Sequence, residues 1–183
     1  MAKLKFSIEE LMDLLKAWLA VSIVFYLAYI GLSFGDNFLM DFVIIVLITG
    51  TAFIFHELAH KFVAINYGYF AEFRSFDKML LVSIVLSFFG FIFLAPGAVF
   101  ISGNVTHDKN GKISLAGPLT NLVLALIFLF IGGSIGLFGF KINSWLALFN
   151  MLPFLGLDGS KVLEWNKIIF FVIIGISALM VFA

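Results

Sequence analysis

Five stretches of this sequence are apolar over enough residues to cross a hydrocarbon core of about 30 Å, which takes roughly 20 residues of helix. They run from Ala17 to Phe34, Phe38 to Ile65, Ile113 to Phe138, Ser144 to Leu163 and Ile168 to Ala183, the last being only marginally long enough. Inside a bilayer such a chain can satisfy its own backbone groups as helices, so the pattern predicts an all-α integral membrane protein. Composition agrees, with 63% of the 183 residues apolar and 12% charged, where soluble domains are about half apolar. Ahead of the first stretch, MAKLKFSIEELMDLLK sets Leu4, Ile8, Leu11 and Leu15 at helical spacing among charges. Residues 1–16 are therefore expected to form an interfacial amphipathic lead-in rather than a cleaved signal peptide.

A sixth stretch, Met79 to Ala95, is apolar enough to cross but ends in Ala95-Pro96-Gly97-Ala98 before the apolar run Val99-Phe100-Ile101. Proline and glycine break a helix there, and irregular backbone at membrane depth is tolerated only against protein or a water-filled cavity. If the stretch turns back, the segments before Phe38, between Tyr67 and Lys112, and around Lys161 to Lys167 share one side. That side then carries all of the 11 basic residues except Lys141, with Lys16 and Lys61, near helix ends, assigned to it by snorkelling. A full crossing divides the same residues more evenly and fits the positive-inside bias less well. The expectation is five to six transmembrane helices, with a re-entrant hairpin over 79–103 between the helix of 38–65 and the next one. The N-terminus is then cytoplasmic. No soluble domain, low-complexity linker or internal repeat is visible, so 1–183 reads as one membrane-embedded domain.

A net charge of zero and the lack of a long basic run argue against nucleic acid as a partner. With no cysteine in the chain, disulfides, iron–sulfur clusters and thiolate metal sites are excluded. Any metal must be held by histidine, carboxylate or carbonyl oxygen.

His56-Glu57-Leu58-Ala59-His60 is an H-E-x-x-H within an otherwise apolar helix, and it takes two of the chain's 3 histidines. Histidines four apart lie about 40° apart around a helix and one turn apart along it, so both rings can reach one ion. The glutamate between them is placed to take a proton from water that a zinc ion has acidified. Histidine and glutamate inside a membrane segment are costly and functional by default. A packing pair of histidines and a transport site are the alternatives.

A zinc hydrolase commonly has three protein ligands. The candidates for the third are His107, Asp108, Glu72, Glu164 and Asp158. Asp158 stands out at membrane depth in Asn150-Met151-Leu152-Pro153-Phe154-Leu155-Gly156-Leu157-Asp158-Gly159. Pro153 frees a backbone carbonyl, and Gly156 and Gly159 permit an unwinding that could swing a carboxylate inward. The depths also match: about 18 residues, or roughly 27 Å of rise, separate Phe38 from His56, against about 14 residues and 21 Å from Ser144 to Asp158. This agreement holds if the two helices run in the same direction, with one crossing, 113–138, between them. Capping of exposed amides near the interface is the other reading of Asp158. His107 sits in the polar loop Asn104 to Lys112 and reads as an ordinary solvated residue.

His56 to His60, followed about ninety residues later by Asn150-x-x-Pro153 and Leu157-Asp158-Gly159, resembles the site-2 protease family of intramembrane zinc metalloproteases. Ala116-Gly117-Pro118-Leu119-Thr120-Asn121 resembles that family's segment at the start of the helix between the two ligand-bearing helices. The resemblance implies one Zn2+ held by His56, His60 and Asp158, with Glu57 as catalytic base. It further suggests that Asn150, and less strongly Asn121, orients substrate or stabilises an oxyanion, although either amide could instead satisfy a neighbouring helix. The implied activity is hydrolysis of peptide bonds in or near transmembrane segments of other membrane proteins, with the metal towards the cytoplasmic side. The run through Pro96, Gly97 and Phe100 either offers an edge to an extended substrate or plugs the bundle. Gly132 and Gly136 are read as a small-residue packing pair in the helix 113–138. A zinc transporter and a catalytically silent scaffold are the rival functions.

Overall fold

The computed structural model describes residues 4–31 and 38–182. Residues 1–3 of the expected lead-in, 32–34 of the first apolar stretch and Ala183 lie outside them. Helix predominates: α1 (Ile8–Tyr29), α2 (Phe38–Asn66), α3 (Asp77–Ser87), α4 (His107–Ile131), α5 (Gly133–Asn150), α6 (Asp158–Trp165) and α7 (Lys167–Phe182). Two short strands, β1 (Phe70–Ser75) and β2 (Gly97–Ser102), pair as a two-stranded sheet. Among the described residues α1, α2 and α4 are long and apolar enough to cross a membrane, and α7 is a shorter apolar helix.

Several bounds differ from expectation for identifiable reasons. The amphipathic segment before Lys16 is not a separate element: Ser7 caps α1 by accepting from the Glu10 amide at 3.0 Å, and the helix runs on to Tyr29. The expected helix 113–138 starts earlier, where Thr106 caps it, and ends at Ile131. Gly132 and Gly133 adopt φ of 69° and 63°, a left-handed pair that stops one helix and starts the next. Gly132 is thus a breaker and not half of a packing pair. Lys141, expected in a loop, lies inside α5. The expected helix 144–163 is two helices, because α5 stops at Asn150 and α6 starts at Asp158. Residues 79–103 contain most of α3, an irregular stretch and the whole of β2.

The chain divides into two compact units. One takes in Lys5–Ile54 and Glu72–Phe100. Here the α1 carboxylates reach β1: buried Glu10 accepts from the Phe73 amide at 3.0 Å, and Asp13 accepts from the Ser75 hydroxyl at 3.2 Å. Arg74 pairs with Glu9 and Glu72, and Lys16 with Asp77. Hydrogen bonds from Ser75 and from Lys16 hold the Asp77 carboxyl below the usual carboxylate range. Further along, Trp18 Nε1 donates to the Val46 carbonyl at 2.8 Å, and the Ser22 and Thr49 hydroxyls meet at 2.6 Å.

The other unit takes in Phe55–Ala71 and Ile101–Ala183. Going forward from His56 to His60 on α2, the partners on α4 go back from Asn121 to Ile113, so these helices are antiparallel. Asn143 on α5 meets Asn121, and a Cβ at Gly139 would touch the Phe128 ring, which sets α5 antiparallel to α4 and parallel to α2.

Candidate metal centre

In this second unit the two histidines and the aspartate converge. His56 Nε2 and His60 Nε2 are 3.0 Å apart, and Asp158 Oδ2 lies 3.3 Å from the first and 3.1 Å from the second. His56, Glu57 and His60 are buried. These three atoms form a group that could share one ion.

The opposite nitrogens are already committed. His60 Nδ1 faces the Ile113 carbonyl at 2.7 Å, an oxygen that can only accept, so the ring proton sits on Nδ1. His56 Nδ1 faces Asn121 Oδ1 at 2.5 Å. Both Nε2 atoms therefore present lone pairs. Two imidazole lone pairs and a carboxylate oxygen within about hydrogen-bond distance repel one another unless a cation or proton sits among them.

Local sequence makes room for this. A Cβ at Gly117 would lie 2.4 Å from His60 Nε2 and 2.5 Å from His56 Nε2, so only glycine lets α4 come this close. Pro118 lacks an amide hydrogen and so cannot bond the Ser114 carbonyl four residues back; the Ile113 carbonyl, one residue earlier, faces His60 Nδ1.

Two comparisons bear on identity. A protein of Methanocaldococcus jannaschii named "Putative zinc metalloprotease MJ0611" is 42% identical over 184 residues, covering 94% of this chain and 93% of its own. The chain belongs to this zinc metalloprotease family. "Zinc metalloprotease MJ0392" of the same organism is 26% identical over 151 residues, which cover 78% of this chain but 39% of that longer protein. No family model and no solved structure matches the chain.

The donor set fits the metal in the family's name. Zinc bound at about 2.0–2.1 Å in a tetrahedron places its ligand atoms roughly 3.3 Å apart, close to the three separations here. Imidazole and carboxylate are ordinary zinc donors in hydrolytic sites. Asp158 is delivered by a break in the chain rather than by a continuous helix. After α5 ends, Leu155 and Gly156 adopt φ of 57° and 72° and turn the backbone. A Cβ on Gly159 would lie 2.0 Å from the Met151 carbonyl oxygen, so α6 begins hard against the end of α5. At its far end Trp165 Nε1 donates to Asp108 at 2.9 Å and the indole fills the space left by Gly111.

The remaining sequence candidates lie elsewhere. Asn150 Nδ2 donates to the Leu146 carbonyl of its own helix at 3.0 Å. His107 is exposed and 3.9 Å from Glu164, Asp108 pairs with Lys112, and Glu72 pairs with Arg74. Asn143 was not singled out by sequence, yet it is fully buried and bonded to Asn121. A polar amide at a buried position in an apolar helix was the available signal.

Proposed function

We propose that this metalloprotease is of the site-2 type and hydrolyses peptide bonds in or beside transmembrane segments of other proteins, with His56, His60 and Asp158 as zinc ligands and Glu57 as general base. The observation that carries the reading is the convergence of three acceptor atoms whose histidines have both committed their Nδ1 protons elsewhere. Zinc, when bound there, supplies a Lewis acid that brings the acidity of water into the neutral range. Glu57 sits on the same helical turn as both rings and is buried. It accepts the proton as water oxygen adds to the scissile carbonyl carbon, then delivers it to the amide nitrogen as the carbon–nitrogen bond breaks.

Substrate class is suggested by the surroundings. Phe55, Leu119, Thr120, Val123 and Leu124, neighbours in sequence of His56 and Asn121, line a mainly apolar groove of about 280 Å³. Such a groove suits an apolar side chain of a membrane segment. The contact of Lys109 with the Tyr67 and Tyr69 rings, 5.5 and 5.1 Å from their centroids, supports a chain that leaves α2 and returns to α4 at one end of this unit. This arrangement supports reading 79–103 as re-entrant, and the bias in basic residues favours the cytoplasm for this end and the N-terminus.

Purified protein in detergent, given a membrane-protein substrate, tests the reading. Glu57→Gln should abolish cleavage and retain one zinc per chain; undiminished cleavage by this variant would remove Glu57 from the mechanism, and wild type without zinc would remove the reading itself.

A further inference from the structure

The two buried asparagines form a directed relay. Asn143 Nδ2 donates to the Gly139 carbonyl at 2.9 Å, which can only accept. This fixes the Asn143 amide and leaves its Oδ1 to receive Asn121 Nδ2 at 3.1 Å. Asn121 is fixed in turn, with its Oδ1 towards His56 Nδ1. Both asparagines are fully buried, so no solvent competes for these positions.

We infer that Asn143 is a positioning residue of the metal centre, acting through Asn121 to hold His56 in the tautomer whose Nε2 can bind zinc. The inference rests on the ligand assignment proposed above. An amide is a reversible device: turned by half a rotation, Asn121 would present Nδ2 to His56, and the ring could meet that donor only with an Nδ1 lone pair. The ring proton would then sit on Nε2 and point into the place of the metal. Asn143 removes that option, because its carbonyl receives Asn121 Nδ2 and its own orientation is tied to backbone. His60 has no such vulnerability, since its partner is a backbone carbonyl. Groups that orient a ligating histidine through its other nitrogen contribute about 10–100-fold to metal affinity.

The test measures zinc affinity of the full chain by chelator competition, beside the melting temperature of metal-free protein. Asn121→Leu and Asn143→Leu should each weaken zinc about 10–100-fold, and the double variant should bind no more weakly than Asn121→Leu alone, because Asn143 acts through Asn121. Asn143→Asp, which keeps an oxygen facing Asn121, should retain more affinity than Asn143→Leu. Should Asn143→Leu fail to accumulate in folded form, Asn143→Ala removes the same acceptor. Unchanged affinity in the Asn143 variants, or losses that add in the double variant, would overturn the relay. A wild type that binds no zinc would fail the ligand assignment instead, so the two failures are separable.

Discussion

At the scale of the residue, the centre depends on one missing atom and one carboxylate. Gly117→Ala would put a methyl carbon 2.4 and 2.5 Å from the two Nε2 atoms. Neither α4 backbone nor both rings can give way without opening the site, so zinc content should fall from one per chain towards zero, read by elemental analysis. Retention of stoichiometric metal would show that α4 stands further off. Asp158→Asn keeps the shape but loses the charge and an acceptor oxygen, and its zinc affinity should fall by more than the roughly 10–100-fold typical of groups outside the ligand set. Equal occupancy in wild type and variant would mean that another group completes the site. Residues with chemistry of their own were legible in sequence, since two histidines and a glutamate in an apolar helix have few uses. Gly117 and Asn121 are visible only within the Ala116–Asn121 segment, with Asn121 read for a different role, and Asn143 does not stand out, because a linear pattern gives no distance between such residues.

At the scale of the element, the delivery of Asp158 matters more than its helix. Gly159→Ala would drive a Cβ into the Met151 carbonyl, so α6 must withdraw from α5; the expected cost is about 1–3 kcal/mol of stability, as for other overpacked sites, together with weaker zinc binding. Gly175→Ala is the control, because no heavy atom lies within 4 Å of its added carbon and alanine favours helix. Its melting temperature should not fall; if both variants melt alike, the junction at Gly159 is not tight. The helix bearing His56 and His60 was readable to within a residue at its end, because a long apolar run leaves little choice. The 151–157 break was foreshadowed by Pro153, Gly156 and Gly159, yet the same residues also fit a kinked helix, and length could not decide. Gly132-Gly133 carried a turn signal that competed with a packing motif in the same run. Phe70 to Ser75 alternates in burial at Ala71 and Phe73, but six residues are a weak strand signal beside so much apolar sequence.

At the scale of the whole molecule, the governing question is which termini of the helices share a membrane face. Within the unit that holds the centre, Tyr69 donates to the Asn104 carbonyl at 3.2 Å and Lys109 lies over Tyr67 and Tyr69, which joins the end of α2 to the start of α4. The α4–α5 turn lies at the other end of α4, about 37 Å of helix away. Because the chain has no cysteine, single introduced thiols report cleanly on side. Asn66→Cys and Asn104→Cys, both at exposed positions, should react with a membrane-impermeant maleimide from the same face of oriented vesicles, and exposed Ser134→Cys from the opposite face. Lys141 is not a suitable reporter, since it lies within α5. Reaction of positions 66 and 104 from opposite faces would mean that the intervening stretch crosses the bilayer. The carboxylate would then have to reach the histidines from the wrong side, and a single zinc site built from α2 and α6 could not be maintained.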